Sequence, residues 1–412
     1  MVNRKSPPFA VSTDFLDGCR GLAALYVVFS HARYLLAKGN VDGLNAHPEL
    51  YSAWEKSQFY FYSLFSKGHH AVIFFFVLSG FVIHLRYAKS LRKDPSGTKM
   101  EWTTYAYRRA RRLFPPLLLA IALTYALDTF GLWQGFPIYL GHTSSPLLNN
   151  TIKPDHSLAT LLGNLGFFQE CYVPDWGTDG PLWSLHYEWW FYMFYPAFFL
   201  LSRRSMALAA GVMGACLAAT LVPVRHPHVM ELFFRVFQMM PIWWFGAILA
   251  DVYAGRIRIP MKYVACLTIL LPMGLLKDTL LSKLVLGLGF SGLIALGFEY
   301  QRLVGKLKVL DGLKWLGEMS YTLYVTHFPL LVCLGGWVMS RAVDRELPRH
   351  FGYASLGILA AMALAYALHF LVERPFLPKS RRSEIHPHKP SDQPPAIAAE
   401  TAMASEPKQT GG

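Results

Sequence analysis

The sequence predicts an all-α protein: a polytopic transmembrane helix bundle of about ten spans, with both termini cytoplasmic. Three observations predict it. Of the 412 residues, 53% are hydrophobic and only 16% charged, with a mean hydropathy of +0.28, whereas soluble domains carry nearer a quarter charged residues. The apolar excess falls in blocks of about 17 to 22 residues, the length of a membrane-crossing helix. Most of the 39 Lys and Arg residues fall in alternate short segments between those blocks, and that bias puts those segments and both ends inside. The net charge of +13 therefore reads as membrane orientation and not as a nucleic-acid surface.

Ten blocks carry the pattern, at 16–36, 69–86, 113–130, 184–202, 206–222, 232–250, 262–277, 282–299, 319–339 and 352–372. The N-terminal Arg4 and Lys5 precede no short apolar core with a cleavage-like site, so the first block reads as a retained anchor. Five cysteines lie far apart with no metal or redox spacing, and no metal is expected. Residues 1–379 read as the bundle. Residues 380–412 are rich in Pro, Ser, Ala and charge without an apolar period, and read as a disordered cytoplasmic tail. The 131–183 segment falls outside. Its middle, 158–168, is too short to span and reads as re-entrant or interfacial.

The first block, LDGCRGLAALYVVFSH, carries Arg20 and His31 eleven residues apart. That is nearly a whole number of turns, so both side chains leave one face, about 16 Å apart along the axis. Ionisable groups within a span usually face the bundle interior and are functional candidates. The plainer alternative is a snorkelling Arg20 and a hydrogen-bonded core His31.

In the second block, FFVLSGF offers Ser79 and Gly80 as a small patch for close approach by a helix or a thin ligand. At the inner edge of the third block, YAYRRARRLFPP places Arg109 and Arg112 on one helical face, with Arg108 and Arg111 as a second pair. Guanidinium groups grip phosphate through paired hydrogen bonds, although an inner-surface anchor also explains the charge. The fourth block opens with GPLWSLHYEWWFYMFYP. An outer aromatic belt accounts for Trp183, Trp189, Trp190 and Tyr192. It does not account for Glu188, which the span assignment puts at a depth similar to His31, within reach of a His–Glu pair. The ninth block places His327 about midway in GEMSYTLYVTHFPL. The tenth ends in VERPF, where Glu373 and Arg374 sit at the inner surface and Glu373 is expected to pair with a basic residue.

Taken in order, LDGCRGLAALYVVFSH, FFVLSGF, RRARRLFP, GPLWSLHYEWWFY, SYTLYVTHFP and ERPF resemble the integral-membrane acyltransferase family three, the O-antigen acetylase type, from about residue 14 to 377. The Arg-x10-His and Arg-x-x-Arg elements stand in the family's order. Cys19 replaces a common Leu, and Ile73 replaces an acid that many members carry before the paired Phe. The resemblance implies an enzyme of the multi-pass cell membrane (the inner membrane for a bacterial chain). It would move an acyl group, commonly acetyl, from cytoplasmic acyl-CoA to a hydroxyl of a carbohydrate or lipid-linked saccharide, within membrane lipid and without a metal.

In that scheme Arg109 and Arg112 hold the CoA phosphates, and Arg20 flanks the entrance. The pantetheine arm passes Ser79 and Gly80. His31 is the general base or the site of an acyl-His intermediate, and Glu188 orients it. The rival reading is a transporter or flippase with His31, Glu188 and His327 as a proton relay. The acceptor, the acyl group and any homo-oligomer stay open.

Overall fold

The computed structural model describes residues 12–38, 44–45, 47–94, 99–222, 227–342 and 344–376, so the tail expected from residue 380 lies outside the described residues. All ten apolar blocks are helical. We number them α1 (Phe15–Leu35), α2 (Gly68–Lys93), α3 (Trp102–Trp133), α4 (Trp183–Arg204), α5 (Met206–Leu221), α6 (Glu231–Ala254), α7 (Met261–Leu275), α8 (Leu280–Leu303), α9 (Ser320–Arg341) and α10 (Gly352–Val372). Among the described residues there is no strand. Six helices, α2, α3, α6, α8, α9 and α10, are long and apolar enough to cross a membrane. α1 and α4 have the length but carry the charged residues of interest. α5 is shorter, and α7 is interrupted by a tighter 3₁₀ stretch over Cys266–Leu270.

α3 extends further than the sequence predicts. It starts at Trp102 and continues through Pro115 and Pro116 for 32 residues, about 48 Å. A hydrocarbon core is only about 30 Å thick. The four arginines therefore ride on a continuous helix and not in a connecting loop.

α9 is the centre of the bundle: 83% of its apolar stretch is buried, against 28% for α10, which keeps a broad outer face. α9 packs on α1, α3 and α10, while α2 packs most extensively on α6. Two apolar clusters result. One gathers around Phe81, Phe191, Tyr195 and Trp243, the other around Val28, Leu35, Leu331 and Phe351. The polar residues of α1 and α9 lie along the seam between them.

Glycine sets the two closest approaches. A β-carbon on Gly80 would collide with the carbonyl oxygen of Trp243, and one on Gly246 with that of Val77. Gly80 is thus consumed by α2–α6 packing, which corrects the expectation that it lines a ligand path. Gly80→Ala should destabilise the protein by about 1–3 kcal/mol, since a backbone carbonyl cannot rotate away. A melting temperature equal to wild type would refute this. The second approach is between α1 and the short helix Lys314–Glu318, where Gly21 and Gly317 let the backbones meet.

The segment 134–182 folds into the bundle, as its short apolar middle suggests. The helix Leu158–Leu165 leads to Phe167, which is fully buried at φ 57°. Its ring stacks on Trp189 at 4.8 Å, and its carbonyl accepts from His186 Nδ1 (2.7 Å) and Trp190 Nε1 (2.9 Å). Trp189 and Trp190 therefore clamp this loop, where the sequence suggests a lipid-facing aromatic belt.

Candidate active site

The close backbone contact at Gly317 creates the first part of the site. Arg20 donates from Nε to the Gly317 carbonyl (3.1 Å) and to Ser320 Oγ (2.9 Å), and from Nη2 to the same carbonyl. Asp17 pairs with it at 3.4 Å. Arg20 does not snorkel; it is locked across the helix junction with one edge facing a cavity.

That cavity, about 80 Å³, is lined by Arg20, Ser79, Arg112, Ser184, Glu188, Ser320, Tyr321 and Tyr324, with Phe75 and Phe76 on its apolar wall. Arg112 is open to it, faces Glu188 and Tyr192, and makes no hydrogen bond among the described residues. Arg109 takes a different position from its partner. Its guanidinium lies 5.6 Å from the Tyr105 ring and 5.7 Å from the Tyr192 ring, and its buried Nε bonds to nothing. Arg111 reaches the Pro375 carbonyl and the Phe376 ring. The two expected arginine pairs thus separate into distinct environments.

Glu188 ends a directed chain of hydrogen bonds. Trp243 Nε1 donates to Ser79 Oγ (3.2 Å), Ser79 bonds the Tyr192 hydroxyl (3.2 Å), and that hydroxyl donates to Glu188. The expected Glu188–His31 pair does not form. Helix geometry gives the reason. Ser184 on α4 and Tyr324 on α9 are hydrogen-bonded at 2.8 Å, which aligns the two antiparallel helices. Glu188 lies four residues beyond Ser184 and His327 three beyond Tyr324, in opposite directions, so about 10 Å of axial distance separates them. The loop that folds inward starts α4 deeper than the span assignment assumes.

His31 instead meets His327. The rings are parallel, with a 3° interplanar angle and centroids 5.0 Å apart, and His31 Nδ1 lies 2.7 Å from His327 Nε2. His327 Nδ1 lies 2.9 Å from the Leu323 carbonyl oxygen, which only accepts. His327 Nδ1 therefore carries a proton, and its Nε2, in the neutral ring, is an acceptor. His31 must then donate from Nδ1, which leaves Nε2 as its basic nitrogen. That Nε2 bonds no other group among the described residues. Phe328 and Tyr34 pack edge-on to the His31 ring. Tyr324 stands between the histidine pair and the cavity, its ring 6.0 Å from His327 and 5.9 Å from Phe75.

The remaining candidates lie at the margins. Glu373 accepts from the Thr322 amide (3.1 Å) and hydroxyl (2.7 Å) and lies 3.4 Å from His369. It caps the first turn of α9, a favourable place for a carboxylate. Its basic partner is a histidine. Arg374 lies over the Phe370 ring. Trp183 starts α4 edge-on to Tyr187, away from the cavity lining.

Sequence reasoning passed over Ser320 and Tyr324, although they share a face with His327 at spacings of seven and three. It also passed over the buried cluster His84–Asp251–Arg256, at 3.1 and 3.2 Å, which needs α2 and the end of α6 brought together.

Four features coexist in one seam: an open guanidinium, a narrow partly apolar cavity, a buffered carboxylate and a histidine with a free basic nitrogen. This arrangement suits an anionic donor with a thin arm and a proton-abstracting step. No curated protein and no solved structure matches the chain. The model of the acyltransferase domain family does match, over residues 13–371, and the chain belongs to that family, acyltransferase family 3.

Proposed function

We propose that this membrane acyltransferase moves an acetyl group from cytoplasmic acyl-CoA to a hydroxyl of a surface carbohydrate or lipid-linked saccharide. In this reading it is a multi-pass protein of the cell membrane with both termini cytoplasmic, as the Lys and Arg distribution argues. The observation that carries the proposal is the His31–His327 hydrogen bond, which leaves His31 Nε2 as a base on the inside of the bundle.

His31 Nε2 takes the proton of the acceptor hydroxyl while that oxygen attacks the thioester carbonyl. As the tetrahedral intermediate collapses, the C–S bond breaks and the imidazolium returns the proton to the leaving thiolate. The positive charge formed on His31 is shared through His327 towards the Leu323 carbonyl. That role is filled by a carboxylate in a Ser-His-Asp triad. Arg112 and Arg109 fit the donor's phosphates, because one guanidinium is open to the cavity and the other keeps an unbonded Nε. Glu188 tunes Arg112 and holds Tyr192 in place.

The test is thiol release from labelled acetyl-CoA by the purified protein, with and without saccharide acceptors. A transporter would bind or move substrate without releasing thiol. Within that assay, His327→Ala should lower kcat about 10- to 100-fold, less than loss of His31 itself, because the base remains but its tautomer is no longer fixed. The KM for acyl-CoA should stay unchanged. Equal losses at His31 and His327 would favour a relay in which both carry the proton.

A further inference from the structure

Carboxyl groups of two kinds lie in and beneath the segment 169–182. Asp128 of α3, fully buried beneath it, is saturated: it accepts from the Thr178 amide (2.9 Å), the Thr178 hydroxyl (2.7 Å) and His156 Nε2 (3.0 Å). Gly177, at φ 57°, lets the loop pass close over it. Asp128 pins the loop to α3 and needs nothing further.

Asp179 has none of this. Its side chain is 0% exposed, and neither carboxyl oxygen has a hydrogen-bond partner among the described residues. It occupies the N-cap of the short turn Gly180–Leu182 that leads into α4, where an aspartate ordinarily caps, yet it accepts no backbone bond. Two more acceptors nearby are also unbonded. One is Asp175 Oδ1. The other is Gln169 Oε1, whose amide Nε2 is fixed on the Leu182 carbonyl at 2.9 Å. Burial, with the neighbouring Asp175 and Asp128, holds Asp179 well above the usual carboxylate range, and burial does the same for Asp175 beside Glu170. Buried acceptors without donors are costly, and a native chain keeps them at strained or functional places.

The location gives them a use. The turn Gly180–Leu182 packs on α9, and the Tyr324 hydroxyl lies 3.3 Å from the Pro181 carbonyl. The Tyr324 ring in turn lies 6.0 Å from His327, the partner of His31. The unbonded acceptors thus adjoin the histidine pair on the side away from Arg112. Beside Asp179, a β-carbon on Gly180 would meet no atom within 4 Å.

We propose that Asp179, with Asp175 and Gln169, is the acceptor subsite, recognising a polyhydroxylated ring through hydroxyl groups that donate to these oxygens. The subsite deepens the acyltransfer reading and rests on it for its purpose. Vicinal hydroxyls match the carboxyl group of Asp179, because one can donate to its carbonyl oxygen while the other accepts from its O–H.

The experiment measures binding apart from turnover. Full-length wild type, Asp179→Leu, Asp175→Asn and His31→Ala, each in detergent, are dialysed to equilibrium against tritiated methyl glucoside, galactoside and mannoside. At least one hexoside should bind wild type and His31→Ala equally. Asp179→Leu should weaken it by at least about tenfold, and Asp175→Asn by less. The KM for acetyl-CoA should not change in Asp179→Leu. Its melting temperature should equal or exceed that of wild type, because an unbonded buried carboxyl is replaced by an apolar side chain of similar size.

Equal hexoside affinity in Asp179→Leu and wild type overturns the subsite. So does a lowered melting temperature, which would mark a structural role, and so does a wild type that binds no hexoside. Failure of the acyltransfer reading would look different: no thiol release from acetyl-CoA, with Asp179-dependent hexoside binding intact.

Discussion

Replacing His31 with alanine should lower acyl transfer by about 10²–10⁴-fold, the range expected when a positioned general base is removed. The structure states which nitrogen is lost. Nε2 is the free base and Nδ1 is the tether to His327. The companion variant is therefore His31→Asn, which keeps a donor for His327 Nε2 but has no titrating nitrogen. It should fold as well as wild type and be as inactive as His31→Ala. Thiol release from labelled acetyl-CoA in the presence of acceptor is the measurement, with yield and melting temperature as folding controls. Turnover near wild type in either well-folded variant would remove His31 from the chemistry. Activity in His31→Asn alone would show that the hydrogen bond to His327 matters and the basic nitrogen does not.

Replacing Arg109 and Arg112 together with alanine should raise the KM for acyl-CoA by about 10²-fold or more, with kcat nearly unchanged. The contacts to phosphate are made equally in ground and transition states. Each charge-assisted contact contributes roughly 1.5–3 kcal/mol. Lysine at position 112 should recover part of the affinity, since it keeps the charge but not the planar fork. The geometry also supplies a control, because Arg112 faces Glu188. If Arg112 merely neutralises that acid, Arg112→Ala with Glu188→Gln should behave as wild type. If it holds the donor, the double variant should keep the raised KM. A KM that stays constant while kcat collapses would assign the arginines to shaping the bundle.

Much of this was readable in the chain. Apolar blocks of about the length of a hydrocarbon core read as helices, and all ten are helical, six of them long and apolar enough to cross a membrane. The Arg20–His31 spacing is intrinsic to one helix, and both side chains face the bundle as periodicity requires. The run of motifs also carries the family, whose model covers residues 13–371.

Contacts between helices were a different matter, because no local rule sets the depth at which one helix begins beside another. The sequence places Glu188 beside His31 by counting from the ends of spans. The inward fold of segment 134–182, fixed by Phe167 and its clamps, starts α4 deeper and moves Glu188 to Arg112 and Tyr192. His327 meets His31 only because α1 and α9 lie side by side. Gly80 loses its proposed role because α6 occupies the space next to it. Asp128 and Asp179 are the same residue type in one small region, yet one is saturated and the other unbonded. Composition and period determine which residues enter the bundle. Only the packing of one backbone against another decides which polar atoms are satisfied there, and the unsatisfied ones are left for chemistry.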